Sequence, residues 1–577
     1  MKNIALYDVV PIRDLRDMVR KSAQTHADKP VFLVKDPRAT RIQPAGQNDA
    51  YQPVSYRQFS QDIDAFGTRL KQLGIEGLRV AILAETRYEW YVTYLATTNG
   101  VGVIVPLDKE LPPNEIASLL QRSGAQVLVY ASSKRNVVAA VRKDLPALHH
   151  LVCMDEPDAE AGADSFWNWL EAGAAALQGG DNTFIDAEIN PDILSVLLFT
   201  SGTTAKSKAV MLSHKNICSN LEGMCQMTKI VADDVFLSVL PLHHTYECTC
   251  GFLCPVYRGA TVAVCEGLRH ITKNLQEAKA TILLVVPLML ELFHKRIMKS
   301  ATADPALARK FRFGLALSRL MRKLGIDKRR SLFSRIHETF GGHLRLLISG
   351  GAAIDPQIMT GLQDLGLDCI QGYGLTECAP ILALNRDIDF KNEAAGLPLP
   401  GVDMKIIDHD ENGIGEIVGR GPNIMLGYFE NEEATREAID EEGFFHTGDL
   451  GYIDVDGFVI ITGRKKNVIV TKNGKNIFPE EIEFLLNRSD YIQECLVTGI
   501  QDEDGETVVA AEIFPNMEAV EAKINVADPA ADQVRTLIAE EVRDINHQLA
   551  PYKYIRSFTL RTTEFAKTTS KKIKRNI

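Results

Sequence analysis

Several apolar runs along the chain are short, rich in β-branched residues and bounded by turn residues. Their apolar positions are consecutive, which is typical of strands buried on both faces of a parallel sheet. Polar and apolar positions between the runs repeat with a helical period, as in Tyr56–Leu73 and Asn114–Arg122. The alternation of strands and helices predicts an α/β fold with mostly parallel sheets. The predicted strands are Val101–Val105, Gln126–Tyr130, Ile193–Phe199, Thr261–Val264, Thr281–Val286 and Leu344–Ile348.

The pattern changes after about residue 400. Gly401–Ile407, Gly415–Val418 and Phe458–Ile461 are shorter, alternate in polarity and are joined by Asp, Asn and Gly, which indicates a small β-rich subdomain over about 400–463. Beyond it the chain predicts a compact α+β domain, residues 464–577. Its predicted elements are helix Pro479–Asn487, strands Leu496–Ile500 and Val508–Phe514, and a final helix Asp532–Leu549. We therefore expect a large N-terminal domain, residues 1–463, and a small C-terminal domain.

The composition disfavours several classes of protein. The 577 residues include 64 Lys and Arg against 75 Asp and Glu, a net charge of −11, which disfavours a nucleic-acid partner. The ten cysteines are dilute and have no paired spacing. The N-terminus lacks the shape of a signal peptide, and no apolar run approaches the roughly 20 residues that span a bilayer. These features predict a soluble, cytoplasmic protein.

Two segments have a biased composition. Asp155–Asn182 is acidic and rich in Ala and Gly, and we expect a surface excursion. Lys295–Arg335 instead carries thirteen Lys and Arg, interleaved with Leu, Phe and Met. This basic segment predicts either a solvated helical hairpin or a surface that docks transiently on anionic lipids at the inner membrane.

The first candidate for chemistry is the stretch Leu197–Lys208, in which a buried strand enters a loop of hydroxyls, one glycine and two lysines. Backbone N–H groups, hydroxyls and an ammonium can bind a polyphosphate. The spacing is not that of a Walker loop. The alternative is a Ser/Thr turn that caps a following helix.

Two further motifs carry carboxylates. In Gln371–Glu377, glycines flank Tyr373, which could stack on a purine, and Thr376 and Glu377 could reach a phosphate and its Mg²⁺. The alternative is a turn followed by a capped helix. In His446–Gly451, Asp449 in a tight turn could accept two ribose hydroxyls, or could be an ordinary hairpin Asp.

Basic residues mark the last two motifs, Gly463–Asn467 at the change of pattern and Lys567–Arg575 near the C-terminus. Taken alone, a basic C-terminus is usually a solvated tail. In order and spacing, however, the five motifs together resemble the adenylate-forming superfamily of acyl-CoA synthetases, luciferases and nonribosomal adenylation domains. The stretch Leu240–Glu247 and the basic ending resemble bacterial long-chain fatty acid–CoA ligases.

The resemblance implies a role for each matching residue. It implies catalytic roles for His244, Thr376, Glu377 and Lys572, of which His244 would line the carboxylate pocket and Glu377 would hold magnesium. Lys572 would bridge the carboxylate and the α-phosphate, and Lys466 would be the hinge between the domains. The loop around the β- and γ-phosphates would comprise Thr200, Ser201, Gly202, Thr203, Thr204 and Lys208. The adenine would lie along Gly351, Ala352, Gly372 and Tyr373, the ribose would contact Asp449 and Arg464, and the loop near Gly474 would serve the second step.

The implied chemistry uses ATP, Mg²⁺, a fatty acid and coenzyme A. A carboxylate is a poor nucleophile that ATP repels, so cations must neutralise the charge that builds at the α-phosphorus as pyrophosphate leaves. The acyl-adenylate is then open to the thiolate of coenzyme A. The family performs both steps by rotating its C-terminal domain about the hinge.

This sequence departs from the family at several glycines and prolines. Ala205, Ala209 and Lys571 replace the usual glycines, and Ser207 and Ala566 replace prolines. A glycine that needs positive φ tolerates Ala poorly, so Ala205 predicts a slower or reshaped phosphate loop.

Other functions stay open at this point. An aryl or other acid, an acyl carrier protein as acceptor, or a non-catalytic nucleotide sensor would fit parts of the pattern. His244 could be a core histidine, and Glu247 could be a residue on a helix surface. A zinc site at His243, His244, Cys248, Cys250 and Cys254 is disfavoured because paired Cys-x-x-Cys spacing is missing.

Overall fold

The computed structural model describes residues 5–36, 38, 51–200, 207–471, 475–502, 506–567 and 573–575. The chain forms two compact units. The first comprises residues 1–200, 208–403 and 419–445, and the second comprises residues 201–207, 404–418 and 446–577. The division predicted between residues 463 and 464, with its hinge at Lys466, stays a prediction.

Two mixed sheets organise the first unit, and five strand pairings in each are parallel among the described residues. This confirms the predicted α/β class with mostly parallel sheets. The strands of one sheet are, in spatial order, Gly427–Tyr428, Ala209–Ser213, Leu194–Phe199, Gly102–Pro106, Leu78–Leu83, Val127–Tyr130, His150–Cys153 and Asp164–Ser165. Those of the other are Leu397–Pro398, Ile381–Leu384, Asp368–Gly374, Leu346–Ser349, Ile282–Val285, Val235–Ser238, Thr261–Val264, Pro30–Val34 and Gln52–Ser55.

Helices connect and cover these strands. Every residue of the central strands Val127–Tyr130 and Ile282–Val285 is buried, which explains why their apolar runs show no alternation. Among the described residues, the α-helices of the first unit are Leu15–Thr25, Tyr56–Lys71, Tyr88–Thr98, Pro113–Ser123, Arg135–Val141, Phe166–Gln178, His214–Met227, Cys254–Arg258, Ile271–Ala278, Pro287–Ala301, Pro305–Lys323, Arg329–Leu332, Ser334–Thr339, Pro356–Asp364 and Glu432–Ala438. A π-helix spans Tyr246–Leu253.

The second unit contains three sheets and three α-helices among its described residues. The four-stranded sheet has the order Asp403–Ile407, Gly415–Arg420, Phe445–Ile453 and Val459–Arg464. A two-stranded ladder pairs Ile469–Val470 with Asn476–Ile477, and a three-stranded sheet orders Ile492–Gln501, Thr507–Pro515 and Ile555–Leu560. The helices are Pro479–Leu486, Met517–Ile524 and Ala531–Asn546.

The structure corrects one expectation about these elements and adds one strand. Asp155–Asn182 is not simply a surface excursion, because it contains the helix Phe166–Gln178, whose Phe166 ring stacks on Phe66 at 4.6 Å. The final predicted helix, Asp532–Leu549, is confirmed by helix Ala531–Asn546, and the strand Ile555–Leu560 that follows it was not predicted. Most side chains of that strand are exposed or half-buried, so its apolar pattern is too weak to predict it.

Candidate functional site

The loop of the first motif leaves and re-enters one sheet at neighbouring positions. Phe199 pairs with Ala209 in an antiparallel ladder, and the backbone N–H of Thr200 donates to the carbonyl oxygen of Lys208 at 2.9 Å. The loop therefore joins two strands, and the alternative of a turn that caps a following helix is wrong. The rest of the predicted phosphate loop lies outside the described residues, namely Ser201, Gly202, Thr203, Thr204 and Ala205.

Tyr428 joins the first motif to the second. The ammonium of Lys208 lies 4.5 Å from the centre of the Tyr428 ring, a cation–π contact. The phenol of Tyr428 donates a hydrogen bond to Oε1 of Glu377 at 2.9 Å. Burial and the charge of Glu377 raise the pKa of Tyr428, so its hydroxyl remains a donor. Lys208 and Glu377, predicted from separate motifs, thus contact opposite parts of one side chain that the sequence analysis did not identify.

The backbone positions Tyr428 through a two-residue strand. Gly427 pairs with Met211, which adds this strand to the sheet beside Ala209–Ser213. Gly427 has φ +136°, and a Cβ there would lie 2.7 Å from the side chain of Thr435, so only glycine fits without movement. The hydroxyl of Thr435 accepts a hydrogen bond from the N–H of Tyr428 at 2.8 Å. A Gly-Tyr pair after an apolar run is the signal that could have identified this residue.

Two buried asparagines hold the turn that follows Glu377. The Asn220 amide donates to the carbonyl oxygens of Cys378 and Ile381 at 3.1 and 2.8 Å. Asn423 donates to the same two oxygens at 3.2 and 2.8 Å. Each oxygen thereby uses both lone pairs within the protein. The turn is fixed by side chains distant in sequence, and Glu377 is fixed with it.

Thr376 and Glu377 lie in a short turn just after a strand, not in the first turn of a capped α-helix. The motif Gln371–Gly374 is the last part of strand Asp368–Gly374, and a short 3₁₀ turn, Thr376–Cys378, follows it. No side chain caps this turn. The alternative of a turn and a capped helix is therefore wrong.

The residues predicted to contact adenine lie at the carboxyl ends of two neighbouring strands of the second sheet. Strands Leu346–Ser349 and Asp368–Gly374 are parallel neighbours, with Ser349 opposite Gln371. The segments after these two positions therefore emerge side by side at the carboxyl ends of the strands, where α/β folds usually bind ligands. Gly351 and Ala352 are exposed there, and Gly372 and Tyr373 are half-buried.

A π-helix brings His244 to the same sheet. Tyr246, the first residue of the helix Tyr246–Leu253, donates from its hydroxyl to the carbonyl oxygen of Ile348 at 2.7 Å. Its ring lies against Gly350, where a Cβ would come within 2.8 Å of the ring. The segment that carries His244 is thus attached to the loop that carries Gly351.

His244 is half-buried and contacts a second histidine. The rings of His243 and His244 lie 4.2 Å apart between centroids. Burial and the neighbouring His244 lower the pKa of His243 to about 3, although Nε2 of His243 lies 3.5 Å from a carboxylate oxygen of Asp108. His243 is therefore neutral at physiological pH.

A narrow apolar cavity adjoins this segment, and its accessible volume of about 10 Å³ has room for roughly one water molecule. Leu242 and Thr245, on either side of the histidine pair, contribute to its wall. The other lining residues are Tyr94, Pro106, Val196, Leu198, Leu212, Ile217, Cys248 and Thr249. Its wall offers hydrocarbon contacts and no charged side chain, but an apolar ligand would enter only if these side chains moved apart.

Glu247, which could be a helix-surface residue on sequence alone, is instead 1% exposed inside the protein. The hydroxyl of Ser238 donates to its Oε1 at 2.5 Å. Burial raises the pKa of Glu247 to about 8, so the side chain is mostly protonated at neutral pH. The carboxyl lies over Gly251, where a Cβ would come within 2.7 Å of it.

In the second unit, Asp449 and Arg464 form an ion pair. They are opposite one another in the ladder between strands Phe445–Ile453 and Val459–Arg464, and the guanidinium Nε lies 3.0 Å from Oδ1 of Asp449. Asp449 is 4% exposed and stands within its strand, not in the tight turn that was expected.

Glu416 is a polar residue of this sheet that the sequence analysis missed. It accepts hydrogen bonds from the N–H of Gly448 at 3.1 Å and from the ammonium of Lys465 at 2.8 Å. Burial alone would raise the pKa of Glu416, but the hydrogen bond and the charge of Lys465 outweigh it and lower the pKa. Glu416 therefore fixes both Gly448, next to Asp449, and Lys465, next to Lys466.

Lys466 lies in the 3₁₀ turn Lys465–Asn467, and burial together with the positive charges of Arg464 and Arg575 lowers its pKa. Near the C-terminus, Lys567 and Ile573 form an antiparallel bridge. The predicted residues Lys572 and Gly474, and the departure Lys571, lie outside the described residues.

Comparison with known proteins identifies the family. A family model described as AMP-binding enzyme matches residues 19–429. The mouse protein named long-chain-fatty-acid–CoA ligase 6 is 31% identical over 479 residues, which cover 78% of this chain and 68% of that protein. Long-chain-fatty-acid–CoA ligase FadD15 of Mycobacterium tuberculosis is 29% identical over 561 residues, which cover 91% and 90%.

Solved structures share the fold over nearly the whole chain. The anthranilate CoA ligase AuaEII in complex with anthranoyl-AMP aligns with a TM-score of 0.75 at 22% identity, covering 98% of this chain and 97% of that one. ATP-bound MatB from Rhodopseudomonas palustris aligns with a TM-score of 0.72 at 25% identity, covering 98% of both chains. Because the family model matches more than half of the chain, this chain belongs to the family of AMP-binding enzymes.

Proposed function

We propose that this protein is an AMP-forming acid–thiol ligase that activates a long-chain fatty acid with ATP and transfers the acyl group to coenzyme A. The observation that carries the proposal is the cluster of Lys208, Tyr428 and Glu377. It places an ammonium and a carboxylate, from motifs about 170 residues apart in sequence, on one aromatic side chain. The names of the relatives support the choice of acid and acceptor.

The reaction has two steps. A carboxylate oxygen of the fatty acid attacks the α-phosphorus of ATP, and the bond to the β-phosphate oxygen breaks, which releases pyrophosphate. The thiolate sulfur of coenzyme A then attacks the acyl carbon, and AMP leaves. In the first step, Thr200, Lys208 and the hydroxyls of the intervening loop, Ser201, Thr203 and Thr204 with Gly202, bind the leaving phosphates.

The residues at Glu377 suit a magnesium ion. Mg²⁺ usually takes one or two protein carboxylates and completes its shell with water and substrate phosphates. The bond from Tyr428 engages one carboxylate oxygen of Glu377 and fixes the orientation of the group. When bound, Mg²⁺ would supply positive charge to the phosphates as negative charge builds on them. Thr376, beside Glu377, would contact the α-phosphate.

The remaining predicted residues orient the nucleotide. Gly351, Ala352, Gly372 and Tyr373 would contact the adenine, and Asp449 would accept from the ribose hydroxyls while Arg464 holds its carboxylate. We further propose that Lys572 bridges the carboxylate and the α-phosphate, that Lys466 is the hinge, and that the loop near Gly474 serves thiol transfer.

His244 would bind the carboxylate of the acid, and the adjoining apolar cavity would have to widen to admit its chain. Because the lowered pKa favours neutral His243, other groups such as Lys572 would have to neutralise the charge of the carboxylate. Each CH₂ of the acid that enters an apolar cavity adds up to about 0.8 kcal/mol to binding. Since long-chain acids partition into bilayers, we also propose that the enzyme works peripherally at the inner membrane.

Pyrophosphate release with Mg²⁺-ATP, measured across straight-chain acids from acetate to stearate with and without coenzyme A, tests the proposal. We expect a maximum at long chains and turnover that requires coenzyme A. Release without coenzyme A, trapped as the hydroxamate, would instead indicate another acceptor such as an acyl carrier protein. No release with any aliphatic or aryl acid would contradict the proposal and favour a nucleotide sensor.

A further inference from the structure

One helix of the first unit has two apolar faces. Helix Pro305–Lys323 turns Phe311 and Leu315 toward the core, where both pack against buried side chains. Ser318 on the same face donates to the backbone oxygen of Asp364 at 3.2 Å. Arg319 forms an ion pair with Asp364 that secures the helix from its side. The apolar side chains of the inner face are therefore explained by packing against the core.

The outer face carries large apolar side chains in solvent. Phe313 is 71% exposed, Leu320 is 56% exposed, and Leu324, directly after the helix, is 69% exposed. They are spaced by seven and four residues, so they line up on one side of the helix, opposite its packed face. We name these three residues the outer stripe. Scattered exposed leucines need no explanation, but an aligned row that includes Phe does.

Cations flank the outer stripe on both sides. Arg309 and Lys310 come four and three residues before Phe313, and Lys323 comes three residues after Leu320, so each lies beside the stripe on the helix surface. Arg312 is also exposed. In the part of the chain that the structure describes, no carboxylate forms an ion pair with these four side chains.

The surrounding segment has a strong excess of positive charge. Residues 295–335 contain thirteen Lys and Arg and two Asp, a net charge of +11 in a chain whose total is −11. Asp304 caps the helix by accepting from the N–H groups of Ala306 and Leu307, and Asp327 pairs with Arg329. Neither acid neutralises the cations beside the outer stripe.

We propose that the outer stripe and its flanking cations bind the surface of an anionic lipid bilayer. The inference rests on the proposed function, because a long-chain acid is held in the same bilayer. A bilayer offers phosphate groups to the cations and, a few ångströms deeper, hydrocarbon to Phe313, Leu320 and Leu324. Pairing with a second copy through this face would bring like charges together, which disfavours it. Among the described helices, none has the length and apolar character to cross a membrane.

Sedimentation with extruded vesicles tests the proposal. The full-length protein is mixed with vesicles of phosphatidylcholine alone or with about one third phosphatidylglycerol, at low and at high salt. We expect binding only to the anionic vesicles, with loss of binding at about 1 M salt, where the Debye length falls to about 3 Å. Equal binding to both vesicle types, or binding that salt does not weaken, would overturn the proposal.

Variants locate the surface. Each basic side chain near an anionic surface contributes roughly a fivefold factor in binding. Reversal of Lys310, Arg312 and Lys323 to Glu should therefore weaken binding more than about 100-fold. Phe313→Ser combined with Leu320→Ser should weaken it at least about tenfold. Undiminished binding by either variant would contradict the assignment.

Matched controls come from the same unit. Lys143→Glu changes an exposed lysine, and Leu268→Ser removes an apolar side chain that is 64% exposed. Both should bind vesicles like the unchanged protein. A thermal unfolding curve confirms that each variant is folded, and gel filtration identifies a dimer: a change in mass caused by the Phe313 and Leu320 substitutions would favour a second copy over a bilayer.

The test separates this inference from the proposed ligase activity. Acyl-CoA formation is measured without vesicles on an acid short enough to stay dissolved. Normal rates in the charge-reversal variant together with lost vesicle binding would support the surface and leave the ligase intact. Vesicle binding by the unchanged protein without any acyl-CoA formation would instead refute only the proposed function.

Discussion

Removal of one hydroxyl, Tyr428→Phe, isolates the hydrogen bond to Glu377. The substitution keeps the ring over Lys208 and deletes only the 2.9 Å donor contact. A hydrogen bond to a charged group contributes about 1.5–3 kcal/mol, a factor of about 10 to 150. Partners that orient a metal-binding carboxylate have comparable effects, about 10- to 100-fold in metal affinity or activity. We expect the Mg²⁺ concentration for half-maximal activity to rise about tenfold or more.

The assay is pyrophosphate release at fixed ATP while Mg²⁺ is varied, with kcat determined separately. Tyr257→Phe is the matched control, because this buried phenol also donates one hydrogen bond, to the carbonyl oxygen of Val10. Both substitutions should lower the thermal midpoint similarly, but only Tyr428→Phe should change the Mg²⁺ dependence. An unchanged Mg²⁺ dependence and kcat in Tyr428→Phe would refute the role given to Glu377.

Three further substitutions test other parts of the structure. Glu247→Gln should remove a pH dependence of stability, because folding raises the pKa of Glu247 from 4.5 to about 8. In the unchanged protein, the free energy of unfolding should therefore fall by up to about 4 kcal/mol as pH rises from about 5 to 8. Parallel urea titrations of the two proteins over this range check it, and identical slopes would contradict it. Asp449→Asn should raise KM for ATP about 10- to 100-fold and abolish the preference for ATP over 2′-deoxy-ATP, whereas a retained preference would exclude a ribose contact. Gly350→Ala should destabilise the protein by about 1–3 kcal/mol, because the new methyl group would meet the ring of Tyr246 at 2.8 Å; Tyr246→Leu should partly rescue it in thermal unfolding, and an additive loss would argue against the contact.

The sequence predicts those elements whose signal is local. The run at Ile282–Val285 is apolar throughout because both faces of its strand are buried, and the alternation with helices then indicates parallel sheets. The strand Ile555–Leu560 has no such run, since its neighbours shield only part of it. The sequence predicts a turn at Asp449 because Gly and Asp are common turn residues, but Gly448 takes its positive φ of 68° within a strand.

The sequence does not predict the role of residues whose surroundings come from distant parts of the chain. Glu247 resembles a surface carboxylate in sequence, and only Ser238 and the space above Gly251 make its burial possible. In sequence, nothing distinguishes Tyr428 from other aromatic residues. Its importance follows from the hydrogen bond to Glu377, which lies 51 positions earlier. Motif matching locates groups that contact a ligand, whereas the side chains that hold such groups are visible only in three dimensions.

The asparagines that hold the Cys378–Ile381 turn have a consequence for biosynthesis. Asn220 precedes the turn by 158 residues, whereas Asn423 follows Cys378 by 45. A ribosome that adds about 5–20 residues per second therefore exposes the turn for seconds with only the first of its two amides available. Tyr428 emerges later still. A nascent chain can form the parallel strand pairings of both sheets before it can fix Glu377, so the nucleotide-binding geometry matures after most of the core that supports it.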